Sequence, residues 1–325
     1  MASERSAIHS RVASGGSGGC DASTPRLNEA LIVRAGALGD VLLLRRAVAA
    51  LRRAHDRVLL IAPGAPGAAL VGTGGSEVDA LFPWERSDVA TLFTGDAPQG
   101  ALRDRLRGIG LALVYSRSAE LTRSLGLVVR RVIGHDPAPP AEVHASQWLV
   151  RPLEALGLGG GGEPAPIRPT EAEAIEARTL LALLPEAFLA IHPGSGSPRK
   201  SWPTERFAAL LDAVAPHRPC LVVEGPADAA AAAELARRPD VVVARGLDAR
   251  VLGAVLARAG LFVGHDSGVS HLAASWGAPT LALFGPTDPA VWAPVGPRVR
   301  VVRAPEGRME ALAVDAVVSA VRSGV

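Results

Sequence analysis

The sequence predicts an α/β protein made of two doubly wound domains that face each other across a cleft. From Ala30 onward, short runs of Val, Ile and Leu alternate with Ala-, Leu- and Arg-rich segments of helical period, a pattern typical of parallel strands joined by crossover helices. Five glycines and three prolines at 157–169 interrupt this alternation, which then restarts. Because such a segment continues neither a helix nor a central strand, we place a linker there. A chain of 325 residues is long enough for two domains.

The first domain is predicted to comprise residues 28–165. Residues 1–27 are rich in Ser, Gly, Ala and Arg without apolar periodicity, which predicts a disordered extension outside the fold. The predicted strands of the first domain lie at 30–35, 57–62, 111–116 and 130–134, and the predicted helices at 41–54 and 144–158.

The second domain is predicted to comprise residues 166–325. Its predicted strands lie at 188–193, 219–225, 241–244, 261–265 and 280–285, and its predicted helices at 204–214, 227–238, 248–259 and 268–276. A last amphipathic helix at 309–321 is expected to pack back across the seam between the domains. Because open α/β sheets bind ligands at the carboxyl ends of their strands, two such domains predict a ligand site in the cleft between them.

Composition argues against several classes of function. No apolar run approaches the roughly 18 residues of a membrane span, and no basic region followed by an apolar stretch opens the sequence, so we expect a cytoplasmic protein. Cys20 and Cys220 lie in dissimilar segments, which predicts two free thiols rather than a disulfide or a metal site. A net charge of +2, without basic stretches interleaved with aromatics, argues against nucleic-acid binding.

One basic residue stands apart from the rest. Of the 34 basic residues, every one is arginine except Lys200. A lysine retained in so Arg-rich a chain indicates a place where a compact ammonium fits and a guanidinium fork does not; chance survival is an equally good explanation on this evidence alone.

The turn after the first predicted strand carries Gly36, Gly39 and Asp40. Glycines there allow a tight turn and a close approach of ligand, and Asp40 is placed at the edge of the cleft, where a carboxylate can act as a general base. The alternative is that Asp40 only caps the N-terminus of the next helix. Nothing here matches the Gly-x-Gly-x-x-Gly turn of a dinucleotide-binding oxidoreductase.

The loop after the strand at 188–193 has the composition of a phosphate site. Gly194 and Ser195 begin a Gly/Ser run whose amides and hydroxyls can approach phosphate oxygens, and Lys200 adds a positive charge. An ordinary flexible loop explains the glycines but not the position of the sole lysine.

A second segment predicted to bind the same ligand follows the strand at 261–265. Its residues are Asp266, Ser267, Gly268, Val269 and His271, which open a helix whose N-terminal amides favour a pyrophosphate. For Asp266 the alternative is a helix cap, and for His271 it is a hydrogen-bonded histidine of the core.

These segments together resemble glycosyltransferase family 9, the ADP-heptose:lipopolysaccharide heptosyltransferases. The resemblance rests on RAGALGDVLL, on HPGSGSPRKSWP and on DSGVSH followed by GPTDP, in the family's order. It implies a GT-B fold of two Rossmann-like domains and transfer with inversion, with Asp40 as the base. It further implies an ADP-sugar donor, no metal or cofactor, and a lipid-linked saccharide acceptor, with peripheral contact at the inner face of the cytoplasmic membrane.

The resemblance also implies subsites. The segment VVEGPAD is similar to the family's Gly-Gly-Pro segment and assigns Asp228 to the donor ribose, although Glu224 stands where a glycine is usual; a helix cap is the competing role for Asp228. The acceptor side is predicted at Gly39, Arg34, Tyr115 and Arg117. Arg45 and Arg46 are explained equally well by an acidic acceptor and by a solvated helix face.

Two other functions are compatible with part of this sequence pattern. A GT-B glycosyltransferase with another donor, or with a capsule or protein acceptor, needs the same fold. A two-lobed solute-binding protein closes in a similar way, but it is expected to carry an export signal.

Overall fold

The computed structural model describes residues 28–216 and 218–324. The predicted extension at 1–27, with Cys20, lies outside the described residues. Within the described ranges the chain forms two parallel sheets, one in each half, and each sheet is flanked by helices on both faces. The predicted fold class is therefore confirmed.

The first domain contains a five-stranded sheet in the order β3-β2-β1-β4-β5. Its strands are β1 (Glu29–Arg34), β2 (Arg57–Ala62), β3 (Ala80–Pro83), β4 (Ile109–Tyr115) and β5 (Val132–His135). Its helices are α1 (Leu38–Leu42), α2 (Arg45–Leu51), α3 (Gly64–Ala68), α4 (Ser87–Ala90), α5 (Gly100–Leu106), α6 (Ala119–Gly126), α7 (Ala145–Trp148) and α8 (Arg151–Glu154), with a 3-10 turn at Thr91–Phe93.

The second domain contains a six-stranded sheet in the order β11-β10-β9-β6-β7-β8. Its strands are β6 (Leu189–His192), β7 (Cys220–Val223), β8 (Val241–Ala244), β9 (Leu261–His265), β10 (Thr280–Phe284) and β11 (Val299–Arg303). Its helices are α9 (Glu171–Leu181), α10 (Thr204–Val214), α11 (Ala229–Leu235), α12 (Ala249–Leu256), α13 (Gly268–Ser275), α14 (Pro289–Trp292) and α15 (Val314–Arg322), with 3-10 turns at Pro198–Lys200, Pro305–Gly307 and Met309–Ala311.

The central strand of each sheet is buried on both faces, which explains its unbroken apolar sequence. In β1, Ala30 and Ile32 point into one hydrophobic cluster while Leu31 and Val33 point into another on the opposite face. Strand β3 was not predicted, since only four partly buried residues form it at the edge of the sheet. Cys220 in β7 is a buried free thiol.

Two predicted helices are interrupted. The one at 41–54 divides into α1 and α2, because the amide of Leu44 bonds the carbonyl of Val41 three residues back and tightens the turn. The one at 144–158 divides into α7 and α8 because Pro152, the second residue of α8, lacks the amide that would bond the carbonyl of Trp148 and continue the first helix.

The last helix was predicted at the seam between the domains, and that prediction is wrong. Val317 and Val318 of α15 pack with Phe207 and Leu210 of α10, inside the second domain. An amphipathic pattern shows that one face is buried but not which neighbour buries it.

The two domains meet where α1 crosses α13. A Cβ atom added to Gly268 of α13 would lie 2.8 Å from Cβ of Leu38 in α1, so the helices approach to a distance that only glycine permits at that position. A second contact is ionic: Arg250 of α12 lies 2.6 Å from Glu77 of the first domain and 2.5 Å from Glu173 of its own domain. In the described part of the chain, no helix has both the length and the apolar character needed to cross a bilayer.

Candidate functional site

Both sheets place their functional loops at the point where the strand order reverses. Strands β1 and β4 are neighbours in the first sheet, and β6 and β9 are neighbours in the second. The helices that follow two such strands diverge to opposite faces, which leaves a crevice at the carboxyl edge. Asp40 follows β1, Lys200 follows β6, and Asp266 follows β9.

These loops enclose a cavity of about 410 Å³ between the two domains. The cavity therefore joins Asp40 and Lys200, which the sequence assigned to opposite sides of the cleft. Its lining residues are Ala37, Gly39, Asp40, Leu43, Gly196, Lys200, Asp266, Ser267, Gly268, His271, Thr287 and Trp292.

The carboxylate of Asp40 is held by both oxygens yet remains open to the cavity. Oδ1 accepts a 2.6 Å hydrogen bond from Arg34, and Oδ2 accepts a 3.0 Å bond from the amide of Ala37. The side chain of Asp40 is 30% exposed. Gly36 has φ +140°, and a Cβ atom there would lie 2.6 Å from Oδ2, so glycine is what allows the turn to close over the carboxylate.

Asp40 therefore caps its own helix and also faces the cavity. It lies inside α1, three residues after the N-cap residue Ala37, and its bond to the Ala37 amide is half of a capping box. Each carboxylate oxygen has two lone pairs, so one remains on each for a ligand in the cavity.

The predicted acceptor contact of Arg34 is replaced by the ion pair with Asp40. Its side chain is only 9% exposed, and the guanidinium is directed to the carboxylate rather than to open space. Sequence reasoning missed this because Arg34 ends an apolar strand and its direction depends on the following turn. Gly39 does line the cavity, where a Cβ atom would lie 3.0 Å from the His271 ring.

The other two predicted acceptor residues lie elsewhere. Tyr115 is fully buried in the first domain and its hydroxyl donates to the carbonyl of Leu149; burial raises the pKa of that hydroxyl. The prediction for Tyr115 is wrong, because the last residue of a strand can point into either face of the sheet. Arg117 is exposed, forms a 3.0 Å ion pair with Asp136, and does not line the cavity.

The loop that carries Lys200 is held by its own side chains. The Ser195 hydroxyl donates to the carbonyl of Ser197 at 2.6 Å and lies 2.9 Å from the Ser201 hydroxyl. Lys200 then reaches across to β9, where Nζ donates to Oδ2 of Asp266 at 2.7 Å. Oδ2 also accepts from the hydroxyl of Thr287 at 2.7 Å. Two predicted donor residues, Lys200 and Asp266, are therefore in direct contact.

Residues at the start of α13 form part of the wall of the first cavity. Ser267 precedes the helix, and its hydroxyl lies 3.3 Å from Nδ1 of His192 rather than capping α13. Gly268 lines the cavity and forms the close contact with α1 described above. Val269 is partly buried, packs against the apolar core of the second domain and does not line the cavity.

His271 has a position compatible with both of its proposed roles. It is buried among core residues, as the structural alternative requires, but its ring also lines the cavity. Burial lowers the pKa of His271 to about 4, against a smaller opposing effect of the Asp266 charge. The imidazole is therefore neutral at physiological pH.

Asp228 occupies the position of a helix cap but does not act as one. It directly precedes α11, and its side chain makes no cap bond. The carboxylate turns back so that Oδ2 lies 3.1 Å from Nε2 of His192. The largest single effect on the pKa of Asp228 is burial, which raises it. Hydrogen bonds and charge from His192, together with two backbone amides, outweigh burial, so the pKa of Asp228 is lowered overall.

Three predicted donor residues face away from the first cavity. Gly194, Ser195 and Asp228 line a second cavity of about 540 Å³, which is bordered by the start of α10 and by α11. The predicted donor residues are thus divided between two neighbouring cavities, with the loop as the partition.

The structure adds residues that sequence reasoning did not select. Thr287 and Trp292 line the first cavity, and Thr287 lies inside the GPTDP segment, where its hydroxyl was available as a signal. His265 ends β9 directly before Asp266 and is wholly buried beneath the loop; a histidine closing an otherwise apolar strand was the only sign of it.

Comparison with known proteins relates the second half of the chain to a known family. Residues 163–318 match the family model described as glycosyltransferase family 9 (heptosyltransferase). Lipopolysaccharide heptosyltransferase 3 of Escherichia coli K12 is 32% identical over 114 residues, which cover 33% of this chain and 33% of that protein. The match thus spans about a third of the length of this curated relative.

Solved structures agree over almost the whole chain. A family 9 glycosyltransferase from Veillonella parvula superposes with a TM-score of 0.75 at 18% identity and covers 92% of this chain and 97% of its own. An E. coli heptosyltransferase solved with ADP superposes with a TM-score of 0.69 at 19% identity and covers 91% of this chain and 100% of its own. E. coli ADP-heptose lipopolysaccharide heptosyltransferase II superposes with a TM-score of 0.73 at 18% identity and covers 91% of this chain and 98% of its own. Likeness at this identity establishes the GT-B fold. The second half of this chain, residues 163–318, is therefore similar in sequence to glycosyltransferase family 9, and most of the chain shares the fold of solved members of that family.

Proposed function

We propose that the protein is an inverting glycosyltransferase that moves heptose from an ADP-sugar donor to a saccharide of the lipopolysaccharide core. The observation that carries this proposal is that Asp40 and Lys200, from different domains, line one cavity. A base on one wall and a cation on the other match the two charges that a displacement at an anomeric carbon must manage.

In the proposed step, an acceptor hydroxyl oxygen attacks the anomeric carbon of the bound sugar. The new carbon–oxygen bond forms as the bond from that carbon to the diphosphate oxygen breaks. The hydroxyl proton passes to the carboxylate of Asp40, and the electron pair of the broken bond leaves with ADP. Arg34 holds Oδ1 of Asp40, which fixes the carboxylate for the attack.

On the donor side, we assign the developing diphosphate charge to Lys200 and to the amides at the start of α13. The ammonium of Lys200 has three N–H donors, of which Asp266 occupies one. Two remain for phosphate oxygens without loss of the ion pair. Ser267 adds a hydroxyl in the same cavity, whereas the hydroxyl of Thr287 donates to Asp266. Asp228 stays the proposed contact for the ribose.

The identity of the substrates is supported by the relatives. One solved relative contains ADP, and a curated relative is a lipopolysaccharide heptosyltransferase. We extend both to this chain, with a lipid-linked acceptor at the inner face of the cytoplasmic membrane. The transfer is proposed to need neither metal nor cofactor, because protein groups supply the charge. Unchanged turnover after dialysis against EDTA is the expected result.

The deciding experiment presents the protein with a panel of nucleotide sugars and follows binding and hydrolysis by mass spectrometry. ADP-heptose is expected to be retained, and calorimetry is expected to show binding of ADP and not of UDP. Retention of a UDP- or GDP-sugar instead would support a GT-B enzyme of other donor choice. Binding of none of them, by a protein shown to be folded, would refute the proposed function.

A further inference from the structure

The loop 194–202, which carries Lys200, is attached to the neighbouring strand through one buried imidazole. Nδ1 of His265 lies 3.0 Å from the carbonyl oxygen of Gly194. The amide of Trp202 donates to Nε2 of the same ring at 2.7 Å. Residues at the two ends of the loop are thus joined to one side chain of β9.

These two bonds fix the protonation state of the ring. Because an amide can only donate, Nε2 of His265 must be the acceptor, and the single proton of a neutral imidazole then lies on Nδ1 and points to the Gly194 carbonyl. A protonated ring would set two N–H groups against each other at Trp202. Burial lowers the pKa of His265 to about 4, so the neutral form is the one present at neutral pH.

The ring is also held rigidly from below. Its side chain has no exposed surface, and it packs edge-to-face on Phe207 of α10 with ring centroids 5.3 Å apart. Phe207 in turn packs on Trp202 at 5.1 Å. The next residue along the chain, Asp266, holds the ammonium of Lys200. His265 and Asp266, which are adjacent at the end of β9, therefore hold the two ends of the loop and its only lysine.

We propose that His265 is a positioning residue: it fixes the loop 194–202 so that Lys200 faces the site cavity in the geometry needed for a diphosphate. His265 does not line that cavity, so it acts through the loop and not by touching a substrate. The part of the proposal that concerns diphosphate rests on the function proposed above; the part that concerns the loop does not.

The test uses the chain's only lysine as its own reporter. Because Lys200 is the sole lysine, the rate at which acetic anhydride modifies it can be read by mass spectrometry without interference from other lysines. The variant His265→Phe keeps an aromatic ring on Phe207 but leaves the Gly194 carbonyl and the Trp202 amide without partners. It is expected to raise the acetylation rate about fivefold, since the loop opens more often.

Two conservative variants test the two hydrogen bonds of His265 separately. His265→Asn retains a donor near the position of Nδ1, and His265→Gln retains an acceptor near that of Nε2, so each is expected to give a rate between those of the parent and of His265→Phe. His55→Phe, a matched change remote from the loop, is the control. An acetylation rate in His265→Phe equal to that of the parent would overturn the proposal.

A second experiment measures the Kd for ADP in a double-mutant cycle that combines His265→Phe with Lys200→Ala. His265→Phe is expected to raise the Kd for ADP about tenfold in the parent and by less than about twofold in the Lys200→Ala background. Equal effects in both backgrounds would show that His265 does not act through Lys200 and would overturn the proposal. Absence of ADP binding by the parent would count against the proposed function, while the acetylation rates would still decide the role of His265.

Discussion

Arg34 and Asp40 form a 2.6 Å ion pair across the turn that follows β1. The pair joins the last residue of the strand to the third residue of α1, so the carboxylate is fixed to the sheet as well as to its own helix. A base that must accept a proton at one moment of a displacement benefits from being held in one orientation. Substitution of each partner separately is expected to distinguish their functions.

Replacing Asp40 by Asn should abolish transfer while leaving ADP binding within about twofold of the parent. The amide is nearly isosteric but cannot take a proton, and general bases contribute on the order of 10²–10⁴ in rate. Turnover assays and calorimetry on the same preparation measure both quantities. Asp104→Asn, at an exposed position, is the matched control. Unchanged turnover in Asp40→Asn would refute the assignment of the base.

Replacing Arg34 by Met should lower kcat roughly tenfold with little change in the KM for the acceptor, because the carboxylate loses one of its two anchors. The sequence-based assignment of Arg34 to the acceptor predicts the reverse, a raised KM with kcat retained. Steady-state kinetics with varied acceptor therefore distinguishes a positioning role from a binding role.

Replacing Lys200 by Ala should weaken ADP binding by about 1.5–3 kcal/mol, the range for a lost hydrogen bond to a charged group. Lys200→Arg should also weaken it, since a planar fork cannot reproduce the contact of a compact ammonium with Asp266. Calorimetry with ADP measures both variants. Arg199→Ala removes an exposed cation next to Lys200 in the chain and is expected to bind ADP like the parent; equal affinity in all four proteins would exclude a donor role for Lys200.

Stability should fall as pH falls from about 6.5 toward 4. His265 and His271 have pKa values lowered to about 4 by burial, whereas in the unfolded chain both titrate near 6.5. Between these values the unfolded state binds more protons, so the free energy of unfolding rises with pH. Each histidine contributes on the order of a few kcal/mol across this window. Urea unfolding at pH 7.5 and 5.0 measures the slope, which should be smaller in His271→Gln.

Replacing Arg250 by Ala should destabilise the fold by about 3–5 kcal/mol, because it leaves the largely buried carboxylates of Glu77 and Glu173 without their cation. The guanidinium also lies over the ring of Trp276, with 5.3 Å to its centroid, and that packing would be lost too. Arg245→Ala, which removes a mostly exposed arginine 3.6 Å from Glu224, should change stability by less than about 1 kcal/mol. A similar loss in both variants would contradict the special position of Arg250.

The sequence predicted those parts of the site that depend on topology. Asp40, Lys200 and Asp266 each follow a strand, and the rule that loops at the carboxyl edge meet at a switch point is enough to bring them together. The direction of individual side chains was harder. Tyr115 also ends a strand, but nothing in its neighbours indicates that the hydroxyl turns inward to Leu149.

Contacts between distant residues were not predictable from one sequence. Lys200 and Asp266 are 66 positions apart, and both were assigned to the donor from their local surroundings alone. Their mutual ion pair, and the hold of His265 on both ends of the loop, depend on the spacing of β6 and β9 in the sheet. Periodicity predicts that these strands exist, but it does not give their separation or rotation.

The close crossing of α1 and α13 limits how the first cavity, between the two domains, can change size. Gly268 lies against Leu38, and Gly39 lies against the ring of His271, so neither glycine has a side chain whose rotation could widen the gap. If the acceptor is the saccharide proposed above, we expect its entry to involve rotation of the two domains about this contact. The crossing would then act as a hinge between the domains, and Gly268→Ala, whose Cβ would lie 2.8 Å from that of Leu38, is expected to push the two helices apart.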